Sequence, residues 1–194
     1  LVIKKTPFQS FKLHLAVIAD CIALISRGIN TRYAIACELG MGEKKVEGLF
    51  EWAEFLGLIK SKQRTKMQEL TTLGMALTKL PGFLERAQVL EVLYATIVSN
   101  HPLVSKIVNS FVYDVSRQFE PVFDRDKFRT ALLRIGQDFD VDLTFLAKRM
   151  HIYLDLLHSP TSFGRLDLVV RQQDGKSFSV NSRRPDWRSA AYIL

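Results

Sequence analysis

The sequence predicts a mainly α-helical protein: an N-terminal winged helix-turn-helix, then a helical layer with a small C-terminal β-hairpin. Three observations predict it. Through residues 11–56, apolar side chains recur at three- and four-residue steps, the period of helices with one buried face. Breaks at Gly28, Gly40-Met41-Gly42 and Gly57 divide that stretch into three. Two short β-type runs then flank a basic tip, Lys60-Ser61-Lys62-Gln63-Arg64-Thr65-Lys66.

Gln9 to Arg27 reads as the first helix, with Phe11, Leu15, Ile18, Ile22 and Ile25 turned inward and Gly28 as its stop. Thr31 is placed to cap a short second helix over Arg32–Leu39. Glu43 begins a third, whose inward stripe is Val46, Leu49, Phe50, Ala53 and Leu56. Leu58-Ile59 and Glu69-Leu70-Thr71 are the two strands of the wing. The order helix, helix, turn, helix, hairpin is that of a winged helix-turn-helix. Pro81-Gly82 marks a boundary between residues 1–80 and 81–194. Beyond it, helices are expected over Phe83–Ser99, Leu103–Phe119, Asp126–Ile135 and Leu143–Leu157. Strands are expected over Arg165–Arg171 and Ser177–Val180, around the turn Asp174-Gly175.

Composition narrows the class. The 194 residues are 47% apolar, which excludes a disordered tail and gives enough chain to bury a core. Net charge is +7 but uneven: residues 1–80 hold twelve Lys/Arg against seven Asp/Glu, and the rest fifteen against thirteen. A basic front half points to a polyanionic partner, of which nucleic acid is the commonest, although mild basicity also serves solubility. Two cysteines, Cys21 and Cys37, sit inside apolar helical patterns and form no disulfide framework or zinc set, so a reduced cytoplasmic setting is expected. The N-terminus lacks the pattern of a secretory peptide. Leu13–Ile25 is too short for a membrane span and carries Asp20.

The third helix and the wing are the parts that meet DNA in this fold. Lys44, Lys45, Glu47, Gly48, Glu51 and Trp52 are expected to face outward. The two lysines stand where base or phosphate contacts are made, whereas Glu47 and Glu51 repel phosphates, so base reading should be weak. The wing is the stronger candidate: Lys60, Lys62, Arg64 and Lys66 alternate, which in a strand puts all four on one face. The bland alternative is a solvated hairpin whose lysines discourage edge pairing. Element order and charge asymmetry together favour DNA contact.

Catalytic patterns are poor. Asp138, Asp140 and Asp142 alternate, as a Mg²⁺ site could, but they read better as residues that precede or cap the next helix. The same holds for Asp124 and Asp126. His14, His101, His151 and His158 lack ligand spacing. No catalytic or metal-binding residue is assigned from these patterns.

Several segments, in order, resemble one family. Phe8-Gln9-Ser10-Phe11-Lys12-Leu13 is similar to its N-terminal motif. Leu39-Gly40-Met41-Gly42-Glu43-Lys44-Lys45-Val46 and Trp52-Ala53-Glu54-Phe55-Leu56-Gly57-Leu58-Ile59 are similar to its helix-turn-helix. Leu70-Thr71-Thr72-Leu73-Gly74 is similar to the segment closing the wing. Phe83-Leu84-Glu85 and the helix ending Val98-Ser99-Asn100 are similar to the block that follows. The family comprises bacterial proteins encoded beside cysteine desulfurases and ATP-pyrophosphatases in DNA phosphorothioation and phage-defence systems. Its best-described type is the DNA-nicking B component of the Ssp system. The resemblance implies a DNA-binding component, other proteins of such a system as partners, and Mg²⁺ or Mn²⁺ if DNA is nicked. The family's early His is Phe8 here and its later Arg has no clear counterpart, so no catalytic residue carries over.

Two other readings stand beside it. A winged-helix transcriptional regulator would use the helices of residues 83–158 for a homodimer interface or an effector pocket. A protein-interaction module would use Trp52 and the apolar helices of the second half.

Overall fold

The computed structural model describes residues 11–61, 67–108, 112, 122–137 and 142–181. It is mainly helical with small antiparallel sheets, and it divides after Asn100 into two compact units. The Pro81-Gly82 break falls inside the first of them.

In the first unit, α1 (Leu15–Ser26), α2 (Arg32–Glu38) and α3 (Glu43–Phe55) are followed by β1 (Ile59–Ser61) and β2 (Gln68–Leu70). Then come α4 (Thr72–Thr78), a single 3-10 turn at Phe83–Glu85, and α5 (Ala87–Asn100). The spacing of apolar residues explains the helices. α1 buries Leu15, Ile18, Cys21, Ile22, Leu24 and Ile25. α3 buries Val46, Leu49, Phe50 and Ala53, as the stripe requires. Thr31 caps α2, its side chain accepting from the Ala34 amide at 3.3 Å. β1 and β2 pair antiparallel, with Ile59 opposite Leu70 and Lys60 opposite Glu69. The Gln68 amide donates to the Asn30 carbonyl at 2.9 Å, tying the hairpin to the link between α1 and α2.

The first helix starts later than its apolar pattern suggests, at Leu15. Residues 11–14 are held away from helical geometry by a long-range contact: the Phe11 carbonyl accepts from Trp52 Nε1 at 3.1 Å. The Phe11 ring also lies close over Gly48, where an added Cβ would meet Phe11 Cδ2 at 2.8 Å. Trp52 is 2% exposed and Gly48 is buried. The expectation that both face outward is therefore corrected. α4 has no counterpart among the expected elements; Thr71 caps it by accepting from the Gly74 amide at 3.1 Å.

The second unit contains α6 (Pro102–Val108), β3 (Val122–Asp124), α7 (Arg125–Gln137), α8 (Leu143–Lys148) and α9 (Met150–His158). A 3-10 turn at Phe163–Leu166 leads to β4 (Val169–Arg171) and β5 (Ser177–Val180). The sheet runs β3-β5-β4, antiparallel throughout. Its inner face carries Phe123 and Phe178, stacked at 5.6 Å, with Phe128 of α7 6.0 Å from Phe123 and the His158 ring edge-on to Phe178 at 5.0 Å. Leu132, Leu146, Ile152 and Leu157 complete that core.

Three expectations change here. The helix expected over 143–157 is broken at Arg149, whose amide bonds back three residues to Leu146 instead of four. Of the strand expected over Arg165–Arg171, Arg165 and Leu166 lie in the 3-10 turn Phe163–Leu166, Asp167 at φ 51 turns the chain, and strand begins only at Val169. β3 adds a third strand to what the sequence presents as a hairpin. The rest of the helix expected over 103–119 lies outside the described residues, apart from Val112, as do Phe8 to Ser10 of the N-terminal segment. Among the described residues, no helix is long and apolar enough to cross a membrane.

Candidate nucleic-acid interface

Gly42, in extended conformation at φ −71 and ψ 145, is the residue from which α3 starts, and it leaves Lys44 and Lys45 exposed in the first turn. Arg32, on α2, reaches across to the same helix. Its Nε donates to Glu43 Oε2 at 2.9 Å, and Nη1 lies 3.4 Å from Glu47 Oε2. All three side chains are roughly half exposed, so the bridge adds little stability. Its effect is electrostatic: two carboxylates that would oppose a phosphate are drawn toward one guanidinium.

Arg32 was missed by sequence reasoning. It lies eleven residues from Glu43, so no local helical spacing flags the pair. Tyr33, beside it on α2, is 69% exposed, the largest exposure among the described large apolar residues.

Lys60 is exposed on β1 and faces Glu69 across the hairpin, with Nζ 3.9 Å from the carboxylate. Ser61 donates to Glu54, a bond that joins β1 to α3. Lys62, Arg64 and Lys66 lie outside the described residues, and with them the expectation that four wing cations share a face. The structure thus places Lys44 and Lys45 on the helix and Lys60 at the base of the hairpin.

The acidic candidates have local partners. Asp142 caps α8, its Oδ1 accepting from the Thr144 and Phe145 amides at 2.8 and 3.2 Å. Asp124 Oδ1 accepts from the Lys127 amide at 2.8 Å at the start of α7. Asp138 and Asp140 lie outside the described residues. Among the described residues, no three His, Cys, Asp or Glu side chains gather as a metal site would require.

No protein-family model, curated protein or solved structure matches this chain.

His14 and His151 are exposed, whereas His101, His158 and Cys21 are packed into the fold. His101 is 3% exposed, and its Nδ1 accepts from the Val104 amide at 3.1 Å; burial lowers its pKa to about 4. His158 Nδ1 lies 2.8 Å from the Leu154 carbonyl and 3.8 Å from Asp155. Cys21 is fully buried, and burial, with Asp20 nearby, pushes its thiol up to about 12, where it has no thiolate chemistry. Cys37 is exposed.

Proposed function

We propose that residues 7–100 form a winged helix-turn-helix that binds the DNA backbone. The observation that carries the reading is the element order: three helices, then a two-stranded hairpin whose connecting residues 62–66 hold three cations. Lys44 and Lys45 at the start of α3, with Lys60, Lys62, Arg64 and Lys66 on the hairpin, are the phosphate contacts. Arg32 stands against strong base reading, because it engages Glu43 and Glu47 on the helix that would enter the groove. The burial of Trp52 removes the side chain that favoured a protein partner at this surface.

The resemblance to the phosphorothioation and phage-defence family supplies the setting: a DNA-binding component working with other proteins of such a system. The first experiment is a gel-shift series on supercoiled plasmid across salt concentrations, with Mg²⁺ or Mn²⁺ present. Retarded, intact plasmid whose shift fades with salt supports the reading, and relaxed circles add nicking to it. No shift at low salt overturns it. Lys62→Glu with Arg64→Glu should abolish the shift while leaving the fold intact.

A further inference from the structure

We propose that the second unit carries a phosphate-binding cleft at the turn end of its three-stranded sheet, lined by Arg125, Arg171 and Lys176. The cleft is open, about 370 Å³, and bounded also by Asp124, Asp126 and Gly175. Strand register builds it. β3 and β5 run antiparallel with Asp124 opposite Ser177. The next residues out, Arg125 and Lys176, therefore leave from the same end of the pair. β4 joins β5 on the other side, with Arg171 opposite Phe178. Three exposed cations from three separate segments meet there.

Neighbouring groups fix Arg171 and the turn that carries Lys176. Arg171 donates from Nε at 3.0 Å, and from one terminal nitrogen, to the Gly175 carbonyl, which fixes the plane of its guanidinium. A guanidinium has five N–H donors in a planar fork, so its outer edge keeps donors for an oxyanion. Asp174 accepts from the Lys176 and Ser177 amides at 2.8 and 2.9 Å, and from the Ser177 hydroxyl. Those bonds keep its carboxyl down at about 2 and fix the turn that carries Lys176.

The cleft's own carboxylates are fewer than its cations. Asp124 is committed to the Lys127 amide, so the helix end is already capped and the site rests on its side chains. The lining sets three cations against Asp124 and Asp126, an excess of one that the ionised Asp174 beside Lys176 offsets from outside the cleft. The site therefore rests on its donors, and a phosphate group is the ligand that forked and point-like donors fit together. With so small an excess, inorganic phosphate should bind on the order of millimolar.

The proposal does not depend on the wing, and its test keeps the two apart. Amide resonances of the whole chain are followed by NMR as inorganic phosphate is added, with chloride at matched ionic strength as control. Arg125, Gly175 and Lys176 are expected to shift saturably with phosphate alone. Lys176→Gln alone should weaken binding about tenfold, and Arg125→Gln with Lys176→Gln should weaken it further, whereas Lys62→Glu with Arg64→Glu should leave it unchanged. A short oligothymidine separates the sources: saturation at lower concentration than phosphate assigns the cleft to a nucleic-acid backbone, and equal or weaker binding assigns it to free phosphate. Equal shifts with chloride, or a response that survives the cleft variants, would overturn the proposal.

Discussion

Single residues in this chain are decided by contacts that run far along the sequence. Trp52 sits three residues after Leu49 and four before Leu56, at the edge of the stripe, so periodicity alone leaves its side open. Its indole Nε1 donates to the Phe11 carbonyl, 41 residues away, a contact that no helical spacing reveals. Gly74 is a second such case. It sits in the first turn of α4, where an added Cβ would press on the Leu58 carbonyl oxygen, itself held by the Thr71 amide at 3.0 Å. Neither atom is free to give, so Gly74→Ala should destabilise by roughly 1–3 kcal/mol. A urea melt reads this, with Gly42→Ala, which meets nothing within 4 Å, as the control; equal midpoints for the two variants would show that the backbone yields. His101 ties stability to pH. Unfolded, it takes up a proton near its ordinary 6.5; folded, only near 4. Its contribution is therefore complete above pH 6.5 and lost as pH falls from 6.5 to 4. His101→Asn keeps an acceptor for the Val104 amide but does not titrate. Between pH 7 and 4.5 the wild type should lose roughly 2–3 kcal/mol more stability than the variant. Parallel losses would place the effect elsewhere.

At the scale of elements, what was legible follows from what each signal measures. α1, α2 and α3 were readable because an apolar stripe and a glycine stop are local. Their placement against the hairpin rests on Gln68 and Asn30, and β3 was invisible because three residues, Val122 to Asp124, carry no period of their own. Its strand character comes from Phe123 stacking on Phe178 and from pairing with β5. The cleft beside β3 was hidden for the same reason, since Arg125 and Lys176 become neighbours only through that pairing. The Arg32 bridge was equally hidden, and it changes how α3 should behave. If Glu43 and Glu47 oppose phosphate, Glu43→Gln with Glu47→Gln removes the opposition and frees Arg32 at once. DNA affinity should rise on the order of fivefold at low ionic strength, and the gain should shrink with salt. Thermal stability should move little, because the bridge is half exposed. Fluorescence anisotropy with a labelled duplex reads the affinity; no gain would mean that this face of α3 does not meet DNA.

At the scale of the whole molecule, residues 7–100 hold eleven Lys/Arg against nine Asp/Glu and the remaining residues sixteen against eleven. DNA binding by the first unit would therefore rest on where its cations lie and not on its net charge, and salt dependence measures it. On the DNA reading, Lys44, Lys45, Lys60, Lys62, Arg64 and Lys66 meet phosphates. Lys60 is partly offset by Glu69 at 3.9 Å, which leaves about five effective contacts. Each neutralised phosphate steepens the log–log salt plot by about 0.9, so the slope should be close to −4.5. Replacing Lys62, Arg64 and Lys66 together with Gln should bring it to roughly −2, since three contacts are lost. The second unit then supplies an independent term. Replacing Arg125 and Lys176 with Gln leaves the slope unchanged if their cleft holds free phosphate. If the cleft holds the DNA backbone, the same replacement makes the slope shallower by about 2, one contact's worth for each cation. A slope near zero in the wild type would remove the backbone from both units, because counterion release accompanies phosphate neutralisation whatever the sequence bound.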